Sequence, residues 1–359
     1  MGKNGKNGKK LEYKPFVSIC TPTFNRRPFY EMTVKCFNNQ TYPKNRMEWI
    51  IIDDGTDKIE DLVKDIPQVK YFKYDTKMNL GMKRNLMHEK ARGDIIVYMD
   101  DDDYYPADRV SHVVDTLQKH PNVLIAGSSE MYIYFKHIGK MYKCGPYGKN
   151  HATAATFAFR KDLLKQTKYE DNAALAEEKL FLKNYEIPMI QLDSMKTILV
   201  FSHIHNTFDK KKMLEGPTNP YVTLSDKTVA DFIKEPDIRE FFMERIDGLL
   251  NNYEPGRPEN KPEVIQQTKA MAEQRDKMIQ EQQMKMYFED QIRQRDARVQ
   301  ELFKENMELK MKNEHLNKKM REILEKQMKD MKEMKELREF RELKEFRELS
   351  EIKDNTPKI

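Results

Sequence analysis

The feature that most constrains the fold is a series of short apolar runs that alternate with segments of helical spacing. Up to about residue 126, each run predicts a β-strand and each spaced segment predicts a helix. Such alternation is typical of a largely parallel sheet covered by helices on both faces. The predicted strands are Phe16–Thr21, Trp49–Ile52, Val69–Tyr74, Asp94–Met99 and Val123–Ala126, and the predicted helices are Arg27–Asn39, Gly81–Ala91 and Pro106–Lys119.

Three of these strands run into clusters of polar side chains. The first strand leads to Thr21–Thr23, the second to Asp53–Gly55, and the fourth to Asp100–Asp103. In open parallel sheets, ligands bind beyond the carboxyl ends of the strands. We therefore expect the three clusters to meet at one edge of the sheet and to form a ligand site there.

The run Asp100–Asp103 predicts a site for a divalent cation. Four adjacent carboxylates repel one another strongly unless positive charge neutralises them. Mg²⁺ and Mn²⁺ prefer oxygen ligands and typically combine one or two carboxylates with phosphate and water. The alternative is an acidic loop that caps the helix from Pro106, because helix N-termini attract anions. The position at a strand end favours a metal–diphosphate site.

Cations, carboxylates and imidazoles elsewhere add candidates to this site. Lys83 and Arg84 can offset diphosphate charge, although cations on a helix are most often simply solvated. Glu178, with Glu177 beside it, can act as a general base near a metal-bound diphosphate, or the two can form an exposed acidic pair. The imidazoles flanking Ile204 can ligate metal, although a histidine there is more often structural.

Beyond residue 126 the pattern predicts a hairpin that turns at Gly139, two further strands and a helix. The hairpin strands are Met131–Phe135 and Lys140–Cys144, the further strands are Thr153–Phe159 and Lys196–His203, and the helix is Asn172–Asn184.

The composition changes sharply near residue 255. The segment Asn251–Glu263 contains three prolines and a glycine and is typical of a linker. The residues after it are strong helix formers and fit a heptad with Val299 at position a and Leu302 at position d. From Phe288 to Ile323 the a/d seam is mostly apolar over about five heptads, which predicts a coiled coil, with a single solvated helix as the alternative.

Asparagines at the a positions 306 and 313 favour two strands, and hence a homodimer. After Gln327, apolar residues recur every three positions from Leu337 to Ile352, so their stripe winds around the helix and cannot extend the same seam. This second pattern is compatible with an overwound segment, a partner-binding helix or low-complexity sequence.

Taken together, the motifs of the first part of the chain resemble family 2 glycosyltransferases over about residues 15–210. The resemblance is carried by Val17–Arg26, Gln40–Pro43, Trp49–Gly55, Asn79–Asn85 and Gly93–Asp103. It implies a GT-A fold (a Rossmann-like, mostly parallel sheet with helices on both faces) and a nucleotide-diphosphate sugar as donor. It also implies Mn²⁺ or Mg²⁺ as cofactor and single-displacement inversion at the anomeric carbon.

The resemblance further implies roles for individual residues. Glu178 matches the catalytic base, with Glu177 as its neighbour, although the family more often has Asp there. Asp54 is implied to bond the base, which is uracil in the best-known members. Nucleotide-sugar-binding roles are implied for Thr21, Pro22, Thr23, Asn25, Asp53, Asp54, Asn79, Gly81, Lys83, Arg84, Asp100 and Asp101, and metal-binding roles for Asp102, Asp100, His205 and His203.

The predicted function is a metal-dependent glycosyltransferase that moves a sugar, with a UDP-sugar favoured, to a glycan or other hydroxyl acceptor. The alternative is a non-catalytic coiled-coil scaffold with a degenerate sugar-nucleotide-binding domain. A nucleotidyltransferase is disfavoured, because the loop after the first strand, TPTFNRR, contains no glycine.

The predicted organisation is a disordered basic N-terminus over 1–14, a GT-A domain over 15–250, a linker over 251–263, a helical coiled coil over 264–352 and a disordered end over 353–359. The net charge of +5, from 64 basic against 59 acidic residues, does not indicate nucleic acid as a partner. No apolar run is long enough for a transmembrane segment. With three cysteines and no secretory signal, we expect a soluble protein of the cytoplasm, or of a host cytoplasm or virion if the source is viral.

Overall fold

The structure, a computed structural model, describes residues 13–215 and 219–354. It divides into two compact units, one up to Glu273 and one from Gln274 onward. The segments predicted to be disordered, 1–14 and 353–359, lie outside the described residues except at their inner ends.

Strands and short helices alternate in the first unit, and a single long helix ends the described chain. In chain order, the strands are β1 Val17–Thr23, β2 Met47–Asp53, β3 Val69–Lys73, β4 Ile95–Tyr98, β5 Ile125–Gly127, β6 Met131–Phe135, β7 Lys140–Cys144, β8 Ala158–Arg160, β9 Met189–Gln191, β10 Leu199–Ser202 and β11 Val222–Leu224. The helices are α1 Arg27–Asn39, α2 Glu60–Val63, α3 Leu80–Lys90, α4 Arg109–Lys119, α5 Glu178–Phe181, α6 Val229–Phe232, α7 Pro236–Glu240, α8 Ile246–Asn251 and α9 Pro262–Asp354.

The main sheet has seven strands in the order β3-β2-β1-β4-β8-β5-β9. Strands β3, β2, β1 and β4 pair in parallel, whereas β8 runs antiparallel to both β4 and β5. A second sheet has the order β10-β6-β7-β11, and its β6–β7 pair is the predicted hairpin. The predicted α/β class, with a mostly parallel sheet, is confirmed.

Alternate residues of the central strands enter two different cores, as the pleat requires. Trp49 packs on the side of α1, where its ring stacks on Phe37 with centroids 4.7 Å apart. The next residue, Ile50, faces the other side and packs with Met87 of α3. Helices therefore cover both faces of the sheet, and the strand ends remain available for polar side chains.

The strand register brings the predicted polar clusters to one edge. Thr23 at the end of β1 lies opposite Asp53 at the end of β2. The Thr21 hydroxyl donates to the Met99 carbonyl, just beyond β4, at 2.6 Å. Because Asp100 follows Met99 directly, the acidic run begins at the same edge, and the expected convergence of the clusters is confirmed.

The strand predicted over Thr153–Phe159 is wrong for most of its length. Residues Ala154–Thr156 form a 3₁₀ turn, and β8 begins only at Ala158. The Thr156 hydroxyl closes this turn by donating to the Thr153 carbonyl at 2.7 Å. A threonine that bonds its own backbone competes with the sheet ladder, which the apolar pattern of this run does not reveal.

The helix predicted over Asn172–Asn184 is also wrong, because only the four residues of α5 are helical. Lys183, Asn184 and Tyr185 all have positive φ angles, between 51° and 65°, which ends the helix. The carboxylate pair therefore lies at the start of a single helical turn and not inside a long amphipathic helix.

The long helix predicted for the C-terminal part is confirmed as α9, which starts two residues earlier than predicted. Its a/d side chains are exposed in this single chain; Leu309, for example, is 59% exposed. The coiled coil therefore stays a prediction. Among the described residues, no helix has both the length and the apolar content that crossing a bilayer requires.

Candidate functional site

A polar cleft opens at the carboxyl edge of β1, β2 and β4, with a volume of about 130 Å³. Its described lining combines five cations with four carboxylates, and these groups come from distant parts of the chain. They are Arg26, Lys77, Lys83, Arg84, Lys261, Asp100, Asp101, Asp102 and Glu263. Pro22, for which the resemblance implies a binding role, also lines the cleft.

Asp100, Asp101 and Asp102 line the cleft. Some of their carboxylate oxygens find no partner among the neighbouring side chains. Burial, followed by the charges of neighbouring aspartates, raises the pKa of Asp100 to about 6 and that of Asp101 to about 7, although Arg84 and Arg26 act in the opposite direction. The buried atoms Asp100 Oδ1 and Asp101 Oδ2 have no hydrogen-bond partner. Unpaired oxygens in a crowded acidic cluster fit a divalent cation.

No group of three His, Cys, Asp or Glu side chains in the described part of the chain is arranged to hold a metal by itself. An ion at Asp100 and Asp102 would therefore need further oxygens from a ligand or from water. Mg²⁺ and Mn²⁺ commonly bind in this way, through one or two carboxylates and the phosphates of a substrate.

Among the described cations of the cleft, Arg26 makes the shortest contact with the acidic run, a role that its place at the end of the motif Val17–Arg26 does not indicate. Its Nε lies 3.7 Å from Asp101 Oδ1, and its Nη2 lies 3.4 Å from Asp102 Oδ2. Nη2 also donates to the His205 carbonyl at 2.8 Å. The side chain is 4% exposed, so these contacts hold a buried guanidinium directly over the aspartates.

Lys83 and Asp54 form a buried ion pair at the side of the cleft. Lys83 Nζ lies 2.8 Å from Asp54 Oδ1 and also donates to the Thr23 carbonyl at 3.2 Å. The other Asp54 oxygen accepts the Met78 backbone N–H at 2.6 Å. Two predicted site residues are therefore brought together, and Asp54 fixes the position of the Lys83 ammonium group.

Arg84 joins the acidic run to the predicted catalytic pair. Its Nε donates to Glu177 Oε1 at 2.7 Å, and its Nη1 lies 3.8 Å from Asp100 Oδ1. Glu178 has no such partner among the described residues. Burial and the charge of Glu177 raise the pKa of Glu178 to about 7. Glu178 is thus able to exchange a proton near neutral pH.

The two predicted histidines occupy different environments. His203 Nε2 lies 3.4 Å from Asp102 Oδ2 and 2.8 Å from Asn206 Nδ2. The ring of His205 packs beside Tyr253 and Gly256, and within the described chain no carboxylate lies at salt-bridge distance from it. Burial lowers the pKa of both imidazoles to about 4. Of the two, only His203 faces the acidic run.

Two predicted binding residues, Thr21 and Asp53, are buried in the scaffold. Thr21 Oγ1 accepts the Trp49 indole N–H at 2.9 Å, in addition to its bond to Met99. Asp53 accepts the N–H groups of Gly55 at 2.9 Å and Ile59 at 3.1 Å, together with the Tyr71 hydroxyl at 2.6 Å. These side chains shape the strand ends; neither lines the cleft.

Of the remaining predicted binding residues, Gly81 and Asn25 support the backbone around the cleft. Asn79 precedes α3 with an extended backbone and makes no capping bond through its side chain. A Cβ at Gly81 would lie 2.0 Å from the Glu170 carbonyl oxygen, so only glycine lets the two segments approach. Asn25, with a φ of 53°, donates to the Pro255 carbonyl at 2.9 Å.

The segment predicted as a linker, 251–263, packs against the cleft within the first unit. Lys77 Nζ lies 2.6 Å from Glu263 Oε1 and donates to the Asn260 carbonyl at 2.8 Å. Lys261 is 8% exposed, and its ammonium donates to Thr207 Oγ1 at 3.0 Å. Nothing in the sequence pattern of this proline-rich stretch indicated that it contributes side chains to the site.

Comparison with known proteins shows what the first part of this chain is similar to. Residues 18–171 match the family model described as glycosyl transferase family 2, which confirms the resemblance of the motifs. An uncharacterized glycosyltransferase of Haemophilus influenzae is 30% identical over 119 residues, which cover 32% of this chain and 47% of the relative. A GalNAc(5)-diNAcBac-PP-undecaprenol beta-1,3-glucosyltransferase of Campylobacter jejuni is 29% identical over 114 residues, which cover 30% of this chain and 35% of the relative.

The chain thus spans less than half of the length of these relatives. Among solved structures, residues 1–349 of Staphylococcus aureus TarS in complex with UDP-GlcNAc align with a TM-score of 0.44 and 18% identity. That alignment covers 70% of this chain and 79% of the other. A mannosyltransferase of Pyrobaculum calidifontis in complex with GDP-Man and Mn²⁺ aligns with a TM-score of 0.43 and 14% identity, over 68% and 74% of the two chains.

The buried Lys83–Asp54 pair leads to a prediction about stability. Lys83→Met should lower the free energy of unfolding by about 3–5 kcal/mol, because it leaves the Asp54 carboxylate buried and unpaired. The double variant Lys83→Met/Asp54→Asn should recover part of this loss. Urea unfolding followed by circular dichroism measures both. The matched control is Lys73→Met, whose partner Glu60 lies at 2.7 Å but on the surface, and which should change stability very little. Equal losses in the two single variants would contradict the prediction.

Proposed function

We propose that this chain, whose residues 18–171 match the model of glycosyl transferase family 2, transfers a sugar from a nucleotide-diphosphate sugar to an acceptor hydroxyl. The observation that carries the proposal is the acidic run at the edge of the sheet, with unpaired oxygens and buried cations around it. A divalent cation would pair with the carboxylates of this cleft, and a diphosphate would pair with its cations. A UDP-sugar is the favoured donor, on the resemblance of the motifs.

We further propose that Mn²⁺ or Mg²⁺ is held by Asp102 and Asp100, with His203 beside Asp102. The bound cation would neutralise negative charge on the departing diphosphate. Arg26 keeps Asp101 and Asp102 in place, and Lys83, held by Asp54, adds a fixed positive charge at the side of the cleft. His205 is left out of the proposed ligands, because its ring lies against Tyr253 and away from the aspartates.

Glu178 is the proposed general base. Its carboxylate would remove the proton of the acceptor hydroxyl as the oxygen attacks the anomeric carbon of the donor from the opposite face. Glu177 is held by Arg84 at 2.7 Å, and its charge helps to raise the pKa of Glu178 to about 7. The acceptor is proposed to be a glycan or another hydroxyl compound.

We propose that α9 joins two copies of the chain in a coiled coil. Apolar a and d positions such as Val299, Leu302 and Leu309 are between 42% and 59% exposed in the single chain. A mostly apolar seam of this kind is favourably covered by the same seam of a second copy. The partners of the proposed enzyme are therefore a nucleotide-sugar donor, a hydroxyl acceptor and a second copy of this chain.

The metal proposal predicts how nucleotides bind to the full chain. One of UDP, GDP, CDP and dTDP should bind in calorimetric titration, with at least about tenfold higher affinity when Mn²⁺ is present. Asp102→Asn should remove the effect of Mn²⁺, since it removes a charged ligand without changing the size of the side chain. Asp65→Asn, an exposed control, should leave the effect intact. An unchanged Mn²⁺ effect in Asp102→Asn would refute the metal assignment, and a folded chain that binds no nucleotide would favour the scaffold alternative.

The base proposal predicts a separation of binding from transfer. Glu178→Gln should keep the nucleotide affinity and lose about 10²–10⁴-fold in the rate of nucleoside diphosphate release from the donor sugar. In the wild type that rate should rise with pH through about 7, because only the ionised carboxylate accepts a proton. Glu186→Gln, an exposed control beyond the same helical turn, should behave as the wild type. A wild-type rate in Glu178→Gln would exclude this residue as the base.

The coiled-coil proposal predicts a dimer in analytical ultracentrifugation. Leu309→Lys should convert it to a monomer, because it places a charge at a d position of the seam. Met311→Lys is the matched control: Met311 is also 59% exposed but lies at an outer position of the same heptad. Loss of the dimer in both variants, or in neither, would argue against the seam from Phe288 to Ile323.

A further inference from the structure

The cations of the cleft differ in whether a carboxylate balances them. Arg26 faces Asp101 and Asp102, Lys83 pairs with Asp54, and Arg84 pairs with Glu177. Lys77 likewise pairs with Glu263. Each of these four side chains therefore has a counter-ion of its own before any ligand enters.

Lys261 differs from the other cations that line the cleft. Its side chain is 92% buried, yet within the described ranges 13–215 and 219–354 no carboxylate lies at salt-bridge distance from its ammonium group. The partner that it does have is the neutral hydroxyl of Thr207. Burial, followed by the charge of Arg26, lowers the pKa of Lys261 well below its usual value, although the charges of Asp102 and Asp101 act in the opposite direction. A buried ammonium without a salt-bridge partner is unfavourable, and an anionic ligand in the cleft would relieve that cost.

The backbone around Lys261 is held by hydrogen bonds at several points and is not a free linker. Asn25 holds the Pro255 carbonyl, and Lys77 holds both the Asn260 carbonyl and Glu263. One turn into α9, Gln267 accepts the Ala174 N–H at 3.0 Å and donates to the Asn172 carbonyl at 2.9 Å. Lys261 is thus held between the end of β1 and the loop that leads to Glu177 and Glu178.

We propose that Lys261 is a donor-binding residue whose ammonium group pairs with a phosphate oxygen of the nucleotide diphosphate. The segment that leads into α9 then completes the donor site, and the C-terminal helix begins as one wall of that site. This inference rests on the proposed function, because the ligand that it assigns to Lys261 is the diphosphate of the donor. No family motif of the sequence includes this position.

The test compares ligands with and without phosphate on the full chain. UDP, with GDP, CDP and dTDP in parallel, is titrated calorimetrically at saturating Mn²⁺, and binding of the matching nucleoside is followed by saturation-transfer NMR. Lys261→Gln should weaken the diphosphate about tenfold to a hundredfold, the usual range for a lost charge-assisted hydrogen bond, and leave the nucleoside unchanged. Lys261→Arg should retain most of the affinity, because it keeps the charge.

Two further readouts separate a binding role from a structural one. Because Lys261→Gln removes a buried ammonium that forms no salt bridge, the melting temperature of the ligand-free chain should stay the same or rise, and affinity for Mn²⁺ alone should not fall. The matched control Lys269→Gln, an exposed position on the same helix, should change none of these quantities. An equal loss of nucleoside and diphosphate affinity in Lys261→Gln would identify a structural role and overturn the inference.

The outcomes also separate this inference from the function on which it rests. If the wild type binds a diphosphate and Lys261→Gln binds it equally well, the assignment of Lys261 is wrong while the proposed function stands. If the folded wild type binds none of the four diphosphates, both are overturned.

Discussion

Adjacent carboxylates at the end of a buried strand are the constraint on which the rest of the site depends. Asp100, Asp101 and Asp102 cannot all ionise in a low-dielectric environment without nearby positive charge. Arg26, from the loop after β1, and Arg84, from α3, supply that charge, and Lys261, just before α9, lines the same cleft. Unpaired oxygens remain even so, which leaves the cluster ready for a cation and an anion that arrive together.

The sequence alone predicted the parallel strands and the edge where their polar ends meet. It succeeded there because buried parallel strands form continuous apolar runs. Side chains that directly follow such strands also lie at the same edge of the sheet. It failed over residues 172–184, where the positive φ angles of Lys183, Asn184 and Tyr185 end the helix. A hydrophobic pattern does not reveal positive φ angles in non-glycine residues.

The motifs also predicted where a residue lies in the fold better than they predicted what its side chain contacts. Thr21 and Asp53 lie at the expected edge, yet their polar atoms bond to Trp49, Met99 and backbone N–H groups. A side chain that directly follows a strand can hold the turn or face the ligand, and the sequence does not distinguish these outcomes. Lys261 shows the converse. It lies in a proline-rich stretch that is typical of a linker, and only the folding of that stretch against β1 brings it into the cleft.

The most direct test of the central claim, that the acidic cleft is a metal–diphosphate site, is anomalous diffraction from crystals of the full chain grown with Mn²⁺ and UDP. A manganese peak beside the carboxylates of Asp100 and Asp102, with the diphosphate between that peak and Lys261, is the predicted result. Bound UDP whose phosphates lie outside this cleft, or a manganese peak far from both aspartates, would contradict the claim.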